Sequence, residues 1–250
     1  MHQPTDRVLR VMEYISCKNQ PVSLAELSCD LCILKTTLLP ILQTLCDRKY
    51  LVKNEAGRYS AGAALLALSG AVKTRFPASD FVHDSLEQLA EKTGETCYFA
   101  ALRGGDVLYL DKADSPNPLR MLAPIGHAFP AYATALGKTL LAGMGADQLK
   151  KLYPNGLAPL TKNTVTDFEQ LARQLVQAQE NGWSSETEES MEHIRCFAVP
   201  VKKQGRTCAA VSVSIPVFRF DPSRQAQIIA CLKNEAENIS RVIAGSDDIF

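Results

Sequence analysis

Ser23-Leu-Ala-Glu26-Leu-Ser-Cys29-Asp-Leu-Cys32-Ile-Leu-Lys35-Thr36-Thr37-Leu-Leu-Pro40-Ile-Leu42 decides the fold of the first part of this 250-residue chain. Ser23 and Glu26 stand at capping-box spacing: the serine hydroxyl takes the N3 amide, and the glutamate reaches back to the N-cap amide. That pair starts a short helix carrying Leu24, Ala25 and Leu27. A second helix is expected from about Lys35 to Arg48, with Leu38, Leu39, Leu42 and Leu45 recurring on one face. Upstream, Val8, Leu9, Met12 and Ile15 give another helix over Thr5–Cys17, which Pro21 separates from the capping box. Downstream, Tyr50-Leu-Val52, the polar turn Asn54-Glu-Ala-Gly57 and Arg58-Tyr-Ser60 read as a β-hairpin. Three helices with a tight turn between the second and third, then a hairpin, is the order of a winged helix-turn-helix.

Ala61 to about Arg75 is rich in Ala and Leu and stops at Pro77, so it reads as a linker helix. The expected division is 1–61 for the winged unit, 62–78 for the linker and 79–250 for a larger domain. In that larger part, Asp80–Thr93 is helical and ends at Gly94. Strands at Cys97–Arg103 and Val107–Lys112 flank Gly104-Gly105, a hairpin signature. A short helix at Thr134–Ala142 precedes a looser Gly/Pro stretch. Thr166-Asp-Phe-Glu169 reads as a second capping box, opening a helix that ends at Gly182. Strands at Arg195–Val201 and Thr207–Ile215 form another hairpin, and Asp221-Pro222 caps a long C-terminal helix. Consecutive hairpins imply antiparallel pairing with helices packed on the sheet, so the fold class is α+β.

Composition sets bounds on function. The chain is 46% hydrophobic and 22% charged, with no net charge, as in a globular protein. No apolar run reaches the ~18 residues of a membrane span, and the N-terminus lacks the apolar core of a signal peptide, so a cytoplasmic location is expected. Residues 1–60 hold eight Lys/Arg against six Asp/Glu, a slight excess of the sign that DNA requires. The eight cysteines are expected to be free, buried thiols. Cys29-Asp-Leu-Cys32 is one CxxC, with Cys17 and Cys46 at helical apolar positions, and no paired ligand cluster follows, so no metal is expected. Gly137-Lys138-Thr139 lacks the earlier glycine of a P-loop, because position 132 is Tyr; Lys138 is expected to be solvated or in a surface ion pair. Cys196 and His193 lack an orienting third group, so no enzyme and no cofactor are expected.

Three ordered stretches make the chain similar to the IclR-type bacterial transcription regulators. They are Asp6–Met12 through Gly57-Arg-Tyr59; Pro130-Ala-Tyr-Ala-Thr-Ala-Leu-Gly-Lys138-Thr-Leu-Leu-Ala142; and Gly182-Trp183 through Arg195–Pro200 to Ala209–Ser214. The resemblance implies a GAF-like C-terminal domain that binds a small carboxylate effector. It also implies assembly as homodimers or homotetramers on double-stranded operator DNA, controlling a catabolic or metabolic operon. The implied effector positions are the backbone of Ala135 and Leu136, the side chains of Glu186, Cys196, Ser212 and Ser214, and an apolar wall at Met121. Independently, Ala135 and Leu136 sit at a helix N-terminus, where free amides favour an anion. Ser212 and Ser214, two apart on a strand, face one side. For DNA, the expected contacts are Lys35, Thr36 and Thr37 at the start of the third helix, with Lys53 and Arg58 in the wing.

The chain departs from the family pattern at four places. Glu186 replaces the more common Asp, and Tyr132 replaces His. Cys32 occupies a turn position that Gly favours for its left-handed backbone. Pro40 replaces a common Arg and, lacking an amide, implies that the helix starts late or bends. Two other readings stay open: a metabolite-binding protein whose DNA reader is degraded, and an enzyme on the sensor-like domain.

Overall fold

The computed structural model describes residues 2–18, 20–75, 78–118 and 123–244. The chain divides into two compact units, residues 1–76 and 77–250.

In the first unit, α1 (Gln3–Ser16) buries Val11 and Ile15, four residues apart on one face. The capping box that starts α2 (Leu24–Asp30) is present: Glu26 N donates to Ser23 Oγ at 3.2 Å, and Ser23 N donates to Glu26 Oε2 at 2.6 Å. The helix ends in a paired C-terminal cap, with Ile33 N donating to Ser28 O and Cys32 N to Cys29 O, both at 3.2 Å. Cys32 takes the left-handed conformation expected there, with φ 54°. Helix α3 (Lys35–Asp47) then buries Leu38, Leu42 and Leu45. It begins at Lys35 and runs through Pro40, so the late start is not found: Pro40 sits in the second turn and leaves the Thr36 carbonyl without its helical donor. Strands β1 (Leu51–Lys53) and β2 (Tyr59–Ala61) pair antiparallel, and Asn54 Oδ1 accepts from Arg58 N at 2.9 Å to hold their turn. A bridge between Val22 and Tyr59 ties the α1–α2 connection to the hairpin. Helix α4 (Ala64–Arg75) follows.

The second unit is one antiparallel sheet of six strands in the order β5-β4-β3-β8-β7-β6. The strands are β3 (Thr96–Arg103), β4 (Asp106–Ala113), β5 (Ala128–Pro130), β6 (Ser184–Thr187), β7 (Ile194–Lys203) and β8 (Arg206–Pro216). Its central strands are buried along almost their whole length because helices pack on the sheet. Alternation sends Cys97, Phe99, Phe197, Val199, Val211 and Val213 to one side. Helices α5 (Ser79–Thr93) and α9 (Gln225–Ile243) pack against the sheet and each other. Tyr98, Ala100, Cys196, Ala198 and Ala210 form a second core with α6 (Ala135–Leu140) and α8 (Phe168–Asn181).

Three local expectations are revised. The N-cap of α8 is Asp167, whose carboxylate accepts from Gln170 N at 2.7 Å; Asp is the stronger cap and displaces the box one residue earlier. The Gly/Pro stretch after α6 contains α7 (Ala146–Leu152), seeded by Gln148 Oε1 accepting from Gly145 N. Asp221 caps a single 3-10 turn, Pro222–Arg224, that leads into α9 rather than α9 itself.

Candidate functional site

In β7, Cys196 is paired with Glu186 of β6 on one side and Ser214 of β8 on the other, and Ser214 faces Thr96 of β3. Directly opposed residues in an antiparallel sheet project to the same face. Glu186, Cys196, Ser214 and Thr96 are therefore one row, and Ser184, Ala198, Ser212 and Tyr98 make the next. Cys196 Sγ lies 3.2 Å from Ser214 Oγ. Ser212 is buried in that next row, in register with Tyr98 and Ala198.

Helix α6 is anchored over these rows. Ser184 Oγ donates to Ala135 O at 2.6 Å and lies 2.7 Å from Thr139 Oγ1. Thr134 caps the helix by accepting from Gly137 N at 2.9 Å. The amides of Ala135 and Leu136, in the same first turn, have no intrahelical acceptor. Four side chains and this turn of backbone thus share one face of the sheet. Met121 falls outside the described residues.

The acidic part of the site is built by the loop between β6 and β7. The Glu186 carboxylate accepts from Glu189 N at 2.8 Å and from Ser190 Oγ at 3.0 Å. Burial nevertheless dominates and pushes the Glu186 carboxyl above its ordinary pKa. Glu189 in turn pairs with Lys138 Nζ at 2.5 Å, with side chains only 9% and 1% exposed. Lys138 is therefore not solvated, as its sequence context suggested. It lies one turn after the cap, on the buried side of α6, where an ammonium needs a carboxylate partner. The loop returns on itself through Glu188 N to Ile194 O at 2.7 Å, with left-handed backbone at Glu188 and His193.

Sequence reasoning missed Glu189 and two tyrosines. Tyr98 and Tyr109 meet edge to face, with ring centroids 5.0 Å apart, in the same core as Cys196. Burial pushes both phenols up, so each keeps its proton; Tyr98 Oη also accepts from Ala123 N at 3.1 Å. Their positions on β3 and β4 were the available signal, since the two-residue period puts Tyr98 in register with Ser212. Burial likewise pushes the Cys196 thiol up, which makes it a poor nucleophile. His193 points to solvent, 83% exposed, beside Glu188.

In the first unit, Lys35 and Thr36 are exposed and Thr37 is half-buried at the start of α3. Further along, the exposed face carries Leu39, Pro40, Gln43 and Thr44, with no cation before Arg48. Lys53 Nζ lies 5.6 Å from the Tyr59 ring centroid. Arg58 donates to Pro21 O at 2.9 Å and to Glu26 at 3.3 Å. Cys29 and Cys32 are exposed, not buried, because the C-terminal cap of α2 turns them outward. A cavity of about 400 Å³ between Tyr14, Lys18, Glu26, Asp30 and Arg58 is open to solvent; in it Tyr14 donates to Asp30 and Arg58 pairs with Glu26. Among the described residues, no cluster of His, Cys, Asp or Glu is arranged to hold a metal, and no helix is long and apolar enough to cross a membrane.

Comparison with known proteins follows the same lines. Residues 74–241 match the family described as bacterial transcriptional regulator IclR C-terminal. The HTH-type transcriptional regulator KdgR of Escherichia coli is 31% identical over 236 residues, spanning 93% of this chain and 90% of that protein. An IclR transcriptional regulator from Alicyclobacillus acidocaldarius superposes with a TM-score of 0.79 at 25% identity, covering 98% of this chain and all of that one. An IclR homologue from Microbacterium hydrocarbonoxydans, solved with 4-hydroxybenzoate, shares the fold, with a TM-score of 0.77 at 21% identity over 97% of this chain and 100% of that one. The curated relatives are transcriptional regulators, not enzymes. With a family model matching well over half its length, this chain belongs to the IclR family of bacterial transcriptional regulators.

Proposed function

We propose that residues 79–250 form a GAF-like sensor for a small carboxylate, and that residues 1–61 form a winged helix-turn-helix whose grip on operator DNA the effector adjusts. The single observation that supports the sensor reading is the row Glu186–Cys196–Ser214, with Ser212 beside it, beneath the first turn of α6. A carboxylate leaving water needs donors. The Ser212 hydroxyl, the Ala135 and Leu136 amides and the protonated Tyr109 are suited to supply them. Glu186 and Glu189 against one Lys138 disfavour a dianion, so a hydroxy or oxo monoacid fits best. Control is read as a population shift between quaternary arrangements of a homodimer or homotetramer, biased by unequal effector affinity for the two states. In this reading the cell compartment is the cytoplasm, with operator DNA as partner.

The test is a thermal-shift screen of the full chain against small mono- and dicarboxylates, because a ligand that binds only the folded state raises stability by mass action. Ser212→Ala is expected to weaken the best ligand by about 1 kcal/mol, about fivefold, by leaving one ligand oxygen unpaired. Equal affinity in calorimetry would remove Ser212 from the site.

Glu186 gives this site a pH dependence. Its raised pKa means the folded chain holds a proton that an unfolded glutamate releases. Its stability contribution is therefore present below the ordinary carboxylate pKa and is lost as pH rises through the raised value. A bound anion raises that pKa further, so effector affinity should also fall with rising pH over the same window. Glu186→Gln, which keeps the shape but cannot ionise, is expected to flatten both profiles. Profiles as steep as wild type would assign the titration to another group.

The exposed face of α3 favours a second reading, in which specific DNA recognition is weak. That face carries Leu39 and Pro40 where a cation would reach phosphate, leaving Lys35, Thr36, Thr37, Lys53 and Arg58 as the proposed contacts. Pro40→Arg is expected to strengthen DNA binding through one added phosphate contact, steepening the log–log salt dependence by about 0.9. If it abolishes binding to the native operator while the fold survives, Pro40 is itself a specificity device.

A further inference from the structure

We propose that Cys29 and Cys32 form a reversible intrachain disulfide, which makes the turn between α2 and α3 an oxidation-sensitive site. These are the two exposed cysteines of the eight; Cys97 and Cys196 are buried and the other four are partly buried. Cys32 N donates to Cys29 O at 3.2 Å, so the pair are the first and fourth residues of a hydrogen-bonded turn. The Cα atoms of such a turn lie within about 7 Å, the upper reach of a disulfide. Cys32 Sγ already lies over the turn, 3.6 Å from the Cys29 carbonyl oxygen. The turn is held at its other end by Ile33 N to Ser28 O at 3.2 Å and by Ser28 Oγ to Ile33 O at 2.7 Å.

Packing does not explain the cysteine at position 32. Its φ of 54° is the left-handed conformation in which glycine carries no penalty and a β-carbon is strained. An exposed side chain offsets little of that strain through burial. A second thiol one turn away gives it a chemical use.

The oxidant is a peroxide, either hydrogen peroxide or an organic hydroperoxide. One thiolate attacks a peroxide oxygen; the O–O bond breaks, hydroxide or alkoxide leaves, and a sulfenic acid forms. The second thiolate attacks that sulfur; the S–S bond forms, the S–O bond breaks, and hydroxide leaves, taking up a solvent proton to become water. Two thiols lose two electrons, which reduce the peroxide. A dithiol reductant reverses the step by thiol–disulfide exchange. The link to DNA rests on the reading of α3 given above. Lys35 follows Cys32 by three residues, so closing the bridge resets the turn that aims the start of α3.

Cleavage after Lys18 and Lys35 releases a tryptic peptide holding both cysteines and no other. The full chain is treated with hydrogen peroxide, alkylated with iodoacetamide, digested and weighed. The expected peptide is lighter by two hydrogens, carries no alkyl group, and regains both alkylation sites after dithiothreitol. Alkylation of both cysteines after peroxide, or conversion to sulfinic acid or to a cross-link between chains, would overturn the site. Oxidised wild type is also expected to bind DNA about tenfold more weakly, the loss of roughly one base contact. The Cys29→Ser/Cys32→Ser variant should hold its affinity in peroxide. A disulfide that forms without changing affinity would overturn the link to α3. Failure of the reduced chain to bind DNA would sink the DNA reading, while the peptide mass still decides the disulfide.

Discussion

Gly137→Ala is expected to unfold or severely destabilise the second unit. A β-carbon at this position would lie 2.0 Å from Ala131 O, 2.4 Å from Ala131 Cα and 2.5 Å from Ala131 C. All three are backbone atoms of the 3-10 turn Ala131–Ala133, which leads directly into α6. No side chain can rotate to make room, so α6 must move away from that turn and take the Ala135 contact to Ser184 with it. Overpacking of ordinary cores costs about 1–3 kcal/mol, and a backbone clash belongs at or above the top of that range. A loss of about 3 kcal/mol in a unit this size lowers the melting temperature by about 6–12 °C. Gly70→Ala in α4 is the control: among the described residues nothing lies within 4 Å of its new β-carbon, so it should be neutral or slightly stabilising. A Gly137→Ala protein that melts with wild type would refute the close approach of the turn to α6.

Lys138→Met should have an effect of similar size for an electrostatic reason. It leaves Glu189 buried without its ammonium, retaining among the described residues a long contact from Val165 N at 3.4 Å. Breaking a buried ion pair on one side costs about 3–5 kcal/mol, whereas replacing both partners with apolar groups is often close to neutral. The pair Lys138→Met/Glu189→Leu should therefore recover much of the loss. Chemical denaturation of the four proteins in the cycle measures this. A double variant no more stable than Lys138→Met would mean that the pair organises the loop over Glu186 rather than merely neutralising charge.

The sequence was readable where the determining chemistry is local. Ser23 and Glu26 announce α2 because a capping box is local chemistry at fixed spacing, and the structure closes both of its bonds. Ser212 and Ser214 announce a shared face because strand periodicity is equally local. Cys196 and Glu186 came from the family resemblance, and the β6–β7–β8 register places them in the same row. Lys138 was misread because its partner lies 51 residues away in an irregular loop, and no periodicity marks Glu189. Tyr98 and Tyr109 were passed over because an aromatic on an alternating strand reads equally well as core. At Pro40, the helix starts at Lys35 although the proline costs one backbone bond; Leu38, Leu42 and Leu45 still bury their shared face. Tertiary packing of that face outweighs local propensity.

The central claim is that a carboxylate bound on the sheet face changes how the chain holds specific DNA. The most direct measurement is the affinity of the full chain for a fragment selected from random-sequence DNA, and for unselected DNA, at fixed salt with and without the best carboxylate from the thermal screen. The account predicts tighter binding to the selected fragment by at least about a thousandfold. It also predicts a ligand-induced change in that specific affinity of about 5- to 150-fold, absent or reduced in Ser212→Ala. Equal affinity for both DNAs, or a specific affinity unmoved by a ligand that stabilises the chain, would contradict it.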